Sequence, residues 1–292
     1  MPRLSSCFVL VLALLLVPSA RAEGIWRPGK YRAGLRTRDD TRVALYKYVP
    51  DGGQQASRGR LLLFPDVGMT HRVFDVYGRG LAPFLMRRGF EVFVVEYRGA
   101  GASEVPLGGF GFEALVEGDG EAAFAQATSG RERIFLGGLG LGGTIAFVLA
   151  GRHPEKVAGV IGLQAAITLD VPNEPIGRML GRLEEAGPWI DLSELLQRPL
   201  FYGRTWFEIM LASDRSVPAH ELGELRRLTI ARAAAKAGYD YLGGPKRFFI
   251  AGEENGFRHD YGHVDLIIGE RADEELWPRL LSFLDEHAPT SP

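Results

Sequence analysis

Between Arg133 and Arg152 a short apolar strand runs into a cluster of glycines and leaves it at once as an apolar helix. The strand residues are Ile134, Phe135 and Leu136, the helix runs from Thr144 to Ala150, and the centre is Gly138-Leu139-Gly140-Leu141-Gly142-Gly143. With no spacer between the two elements, the backbone must reverse within a few residues, a geometry that calls for positions without a Cβ. Two motifs fit these glycines. Gly138, Gly140 and Gly143 match G-x-G-x-x-G, a dinucleotide fingerprint. Gly138, Gly140 and Gly142 match G-x-S-x-G, a nucleophile elbow, with Gly140 standing where the serine belongs.

The surroundings of this unit set the fold class. Tyr31 to Tyr48 alternates on both sides of Asp39-Asp40, as a hairpin does. Gly59 to Pro65, Phe90 to Glu96 and Val157 to Leu163 are continuous apolar runs, the pattern of strands covered on both faces. Helical patterns over Tyr77 to Arg88 and Phe112 to Ala127 separate them. Arg247 to Ala251 reads as a last strand and Glu274 to His287 as a closing helix. This alternation predicts an α/β fold with a mainly parallel central sheet and helices on both faces. From 166 to about 210, prolines (Pro172, Pro175, Pro188, Pro199) and aromatics (Trp189, Phe201, Tyr202, Trp206) interrupt the alternation. That stretch is expected to be a helical cap over the sheet.

The first 22 residues read as a signal peptide. Arg3 supplies the positive start, Phe8 to Val17 the apolar stretch, and Ala20-Arg21-Ala22 the cleavage site. Ten apolar residues are too few to span a bilayer, so cleavage and export to the periplasm or beyond are expected, with no membrane span in the mature chain. Leu4-Ser5-Ser6-Cys7 resembles a lipobox but precedes the apolar stretch it should follow. The chain has one cysteine, so removing 1–22 leaves none and no disulfide. A formal charge of −2 argues against nucleic acid as a partner. The six histidines show no metal-ligand spacing, and no phosphate loop ends in Gly-Lys-Ser/Thr. Neither a metal nor a cofactor is expected.

Several blocks together resemble the α/β-hydrolase superfamily, in its acid-lipase and esterase-like branch. Leu62-Leu63-Phe64-Pro65-Asp66 stands where the family's third strand ends in His-Gly. Arg88-Gly89-Phe90 joins a helix to the strand that ends in Tyr97-Arg98-Gly99-Ala100-Gly101-Ala102-Ser103, similar to the family's Y-R-G-x-G-x-S. Tyr261-Gly262-His263-Val264-Asp265, followed by Ala272 and Trp277-Pro278, is similar to its terminal histidine block. The resemblance covers roughly 31–287 and implies one α/β-hydrolase-like domain over 23–292. It also weakens the dinucleotide reading: several strands precede the glycines, and the next strand ends Leu163-Gln164-Ala165 without the carboxylate that would bind ribose.

By this resemblance Gly140 occupies the nucleophile position with no hydroxyl to form an acyl-enzyme. The oxyanion donors fall on the backbone N–H groups of Leu141 and Val67. Asp66 takes the place of the family's glycine, where a carboxylate disfavours a developing oxyanion; the alternative is a loop carboxylate turned to solvent. His263 matches the catalytic histidine, with Asp265 a structural neighbour. For the acid, Asp214 in Asp214-Arg215-Ser216-Val217-Pro218 is the first candidate, Asn255 the second, and Asp260 remains open. Two functions follow. One is a non-catalytic or strongly impaired homologue that binds a small apolar or acyl molecule between sheet and cap. The other is an esterase-like or related enzyme using His263 as general base without a covalent serine intermediate.

Overall fold

The computed structural model describes residues 28–53, 57–66, 68–107, 109–131, 133–165, 236, 239–240, 243–262 and 265–289. The signal segment 1–22, Val67, the cap at 166–210, Asp214 and His263 lie outside the described residues.

Six strands form one sheet: β1 Gly29–Arg36, β2 Arg42–Val49, β3 Gly59–Phe64, β4 Phe90–Glu96, β5 Ile134–Leu139 and β6 Val157–Leu163. Their order is β1-β2-β4-β3-β5-β6. The hairpin β1–β2 is antiparallel and adds to β4 antiparallel, whereas β4, β3, β5 and β6 run parallel. The apolar runs of β3 and β4 are therefore central parallel strands, as their two-sided burial demands, whereas that of β6 forms the last strand of the order and is only partly buried.

Alternate side chains on β3 serve two cores. Leu61 and Leu63 face a cluster with Phe84 and Leu85 of α1 (Leu81–Met86) and Trp277, Leu280 and Leu284 of a C-terminal helix. Leu62 and Phe64 face Phe124 and Ala127 of α2 (Glu121–Thr128), and Ile145 and Leu149 of α3 (Leu141–Arg152). Helices thus cover both faces. The C-terminal helix, α4, runs over Trp277–His287.

Four elements depart from the sequence expectation. The helix expected over Tyr77 to Arg88 shortens to α1, because Tyr77 and Gly78 form a left-handed turn ahead of it. The helix expected over 112–127 changes to π geometry over Leu115–Gly120 before becoming α2. The wide turn lets Arg98 approach, and a Cβ on Gly118 would collide with its guanidinium. Arg247 to Ala251 does not join the sheet as a strand; Phe249 and Ala251 still pack on the first core, and the Ala251 carbonyl accepts the Tyr261 N–H. The closing helix is split, with one turn at Ala272–Glu275 and α4 restarting at Trp277, where Pro278 sits in the first turn and has no N–H to miss a partner.

The Tyr97–Ser103 block is a structural clamp at the C-terminal edge of the sheet. Arg98 donates from Nε and its backbone N–H to Asp119, both at 2.8 Å, and from its guanidinium tips to Asp39 of the β1–β2 turn, at 2.6 and 3.0 Å. Burial pushes the Asp119 carboxyl up, against the pull of Arg98. Ser103 Oγ donates to the Glu96 carbonyl and accepts the Ala44 N–H. The Glu96 carboxylate accepts the Ala102 N–H and holds His71 Nδ1 at 2.6 Å. Gly101, at φ 55°, passes so close to that carboxylate that a Cβ would overlap it.

The β5–α3 turn depends on a similar close approach. A Cβ on Gly142 would strike the Phe64 and Pro65 carbonyls, and one on Gly138 would strike the Gly142 backbone. Because backbone cannot swing aside as a side chain can, Gly142→Ala is expected to lower stability by about 2–4 kcal/mol. Gly34→Ala, with open space around its Cβ position, should stay within about 0.5 kcal/mol; urea unfolding of both variants checks this. Burial pushes the Glu96 carboxyl up, but bonds from His71 and Ala102 hold it below the usual glutamate range. Its stabilising effect is therefore complete above that range and lost as pH falls through the lowered value. Glu96→Gln should cost about 1–2 kcal/mol at pH 7, with the gap to wild type closing below about pH 4 in thermal melts.

Candidate functional site

The sharp turn from β5 into α3 places Gly140 at its tip with φ 53° and ψ −123°, a conformation that an L residue adopts only under strain. The turn is fixed from both sides. The Gly140 N–H donates to the Leu163 carbonyl of β6 at 2.9 Å, and its carbonyl accepts the N–H groups of Gly143 and Thr144. Leu141 opens the twelve-residue α3. Its N–H belongs to the first turn, where the helix has no carbonyl of its own to offer and the dipole favours an anion.

Asp66 supplies that anion. β3 ends at Phe64, and Pro65 and Asp66 carry the chain across the end of the neighbouring β5. The Leu141 N–H donates to Asp66 Oδ1 at 2.9 Å. The same carboxylate fills the volume beside Gly140: a Cβ there would overlap both carboxylate oxygens and Cγ. Backbone geometry holds Asp66 in place, since its carbonyl accepts the Met69 N–H and starts the turn of the following loop. Asp66 is half-buried; the carboxylate is turned onto the elbow, not out to solvent.

Tyr97, at the end of β4, lies beneath this carboxylate's field. Its hydroxyl is fully enclosed and has no hydrogen-bond partner among the described residues. Burial, with the charges of Asp66 and Asp119, pushes its ionisation well above the ordinary tyrosine value. It stays a neutral phenol.

The remaining predicted residues fall as follows. Asp265 starts a single helical turn, is buried, and accepts the Gly262 N–H at 3.0 Å, so it orders the backbone just before position 263. Asn255 is exposed in a short 3-10 turn. Asp260 caps that turn by accepting the Glu253 N–H at 3.0 Å. The tyrosine of the histidine block, Tyr261, packs against Phe257 and bonds Glu275. The sequence marks Gly140 and Asp66 as two altered positions of one site, but not that the carboxylate fills the volume beside Gly140. The available signal was that both fall on elements whose ends meet at one edge of the sheet. Among the described residues, no group of three or more His, Cys, Asp or Glu side chains could hold a metal ion. Nor is any described helix long and apolar enough to cross a membrane.

Comparison with known proteins bears on this arrangement. The model of the alpha/beta hydrolase fold family matches residues 68–229. No curated protein sequence matches the chain. Among solved structures, an esterase from Pyrococcus furiosus superposes with a TM-score of 0.56 at 14% identity, over 91% of this chain and 96% of that one. A membrane phospholipase A, described as a bacterial virulence factor, gives 0.55 at 17% identity, over 88% and 86%. An alpha/beta hydrolase from Novosphingobium aromaticivorans DSM 12444 is 23% identical, with a TM-score of 0.38, and this chain spans 45% of its length. The family match spans more than half of the chain, and the strand order, the two-sided helical cover and the elbow agree with it: the chain belongs to the alpha/beta hydrolase fold family.

Proposed function

We propose that this protein is an exported α/β-hydrolase-fold homologue that has given up covalent acyl transfer at the elbow and binds a small apolar or acyl molecule instead. The observation that carries this reading is the Asp66 carboxylate, bonded to the Leu141 N–H at 2.9 Å and packed into the volume a side chain on Gly140 would need. Ester hydrolysis through an elbow needs a nucleophile there and a backbone donor aimed at the developing oxyanion. Gly140 brings no oxygen to the first task. The Leu141 N–H already serves an anion, and a second negative charge beside Asp66 would be repelled. Loss of one such donor alone costs about 100- to 1000-fold in rate, before the missing nucleophile is counted.

The ligand class rests on the cap's composition and the fold neighbours. Aromatics in the expected cap at 166–210 favour an apolar partner, and two fold neighbours are named as an esterase and a phospholipase A. His263 is retained in the sequence and is the group available for general-base chemistry without a covalent intermediate.

Hydrolysis of short and long acyl esters by the purified protein and its variants tests this reading. Wild type should show no turnover above the uncatalysed rate. Gly140→Ser alone should stay inactive, because its Cβ meets Asp66. The double variant Asp66→Gly/Gly140→Ser, which frees both the donor and the space, should gain about 100-fold or more over wild type. Robust wild-type turnover that disappears in His263→Ala would overturn the binding reading in favour of histidine-based catalysis.

A further inference from the structure

The same loop that begins at Asp66 ends at a cavity that shares no residue with the elbow. It has a volume of about 360 Å³ and lies between β1, β2 and α1, with Lys30, Tyr48, Asp75, Pro83 and Met86 among its lining residues. That volume lies within the range of small-ligand sites.

Its charges are unevenly satisfied. Asp75, 5% exposed, is fully engaged: Oδ2 accepts from Lys30 Nζ at 2.6 Å and from the Tyr48 hydroxyl at 2.9 Å, and Oδ1 accepts the Gly78 N–H at 2.7 Å. Burial pushes the Asp75 carboxyl up, but these bonds hold it below the usual range. It is therefore an anion, and it cancels Lys30. Arg72 and Arg87 also line the cavity. Arg72 lies over the Tyr77 ring at 5.8 Å, and Arg87 donates to the Gly78 carbonyl at 3.2 Å. Neither has a carboxylate partner among the described residues. The cavity thus carries two guanidinium groups with no carboxylate partner among the described residues, alongside the apolar Pro83 and Met86.

Tyr77 points to the same use. It is 60% exposed and, at φ 49°, adopts a left-handed conformation next to Gly78 at φ 83°. Val76 and Arg79 close this two-residue turn by exchanging both backbone hydrogen bonds. A bulky aromatic in such a turn costs about 1 kcal/mol or more that asparagine or glycine would avoid. The turn holds that ring at the mouth of the cavity, beside Arg72.

We propose that this cavity binds a small organic monocarboxylate: Arg72 and Arg87 grip the carboxylate, and the apolar or aromatic body lies against Tyr77, Tyr48, Pro83 and Met86. Planar guanidinium forks match a carboxylate in two-point geometry, and the aromatic walls distinguish an anion with a body from a bare one. The assignment is independent of what the elbow does.

Isothermal titration calorimetry of the full chain with 3-phenylpropionate, its neutral amide and inorganic phosphate tests it. The carboxylate should bind at least tenfold more tightly than either the amide or phosphate. Arg72→Gln and Arg87→Gln should each weaken it tenfold or more, while Arg79→Gln, outside the cavity, should leave it unchanged. Arg79 and Arg87 are exposed and Arg72 is half-buried, and circular dichroism of the three variants should match wild type. Equal affinity for the amide or for phosphate would overturn the proposal. So would binding that survives both arginine substitutions, which would place the ligand elsewhere, or no binding of the carboxylate at all.

Discussion

The structure depends on one backbone approach: the end of β3 lies directly against the first turn of α3, with no side chain between them. Gly142 meets the carbonyls of Phe64 and Pro65, and Gly138 meets Gly142. These contacts leave room only for hydrogen at the α-carbons, and they lock β5, the turn and α3 to the centre of the parallel sheet. The elbow at the sheet's C-terminal edge takes its position from this lock. Asp66 is the second residue beyond Phe64, so fixing Phe64 against α3 carries its carboxylate onto the Leu141 N–H.

That carboxylate and Gly140 are best understood as one feature. A side chain on Gly140 and a carboxylate on Asp66 compete for the same space, so each residue permits the other. The turn retains the backbone conformation of an elbow at φ 53°, although glycine has no need of strain to reach it. The helix N-terminus retains its capacity for an anion, and Asp66 satisfies it internally. In the proposed reading this self-satisfied elbow leaves ligand binding, not acyl transfer, as the site's function.

Much of the fold was legible because two-sided burial writes itself into sequence. Leu61 to Phe64 and Phe90 to Glu96 are continuous apolar runs, and they became the central strands β3 and β4. The glycines of the β5–α3 turn were legible from their motif spacing, although Gly142 and Gly140 answer to Phe64, Pro65 and Asp66 far earlier in the chain. What failed was context held by distant partners. The π geometry over Leu115–Gly120 accommodates Arg98, which lies far earlier in the chain. Arg247 to Ala251 has a strand's composition, yet it does not join the ladder: Phe249 and Ala251 pack half-buried against the core while Phe248 stays exposed. In the site, Gly140 and Asp66 were each visible as departures from family pattern, while their mutual fit is 74 residues apart in sequence and has no periodic signature. The cavity beneath Tyr77 was missed for the same reason, its charges coming from β1, the loop after β3 and the end of α1.

The most direct measurement is the amide proton shift of Leu141, compared by NMR between wild type and Asp66→Asn. A charge-assisted bond to Asp66 predicts a downfield wild-type resonance that moves upfield in the variant. A Leu141 resonance that ignores the substitution would contradict the account, because the Asp66 carboxylate would then not occupy the elbow.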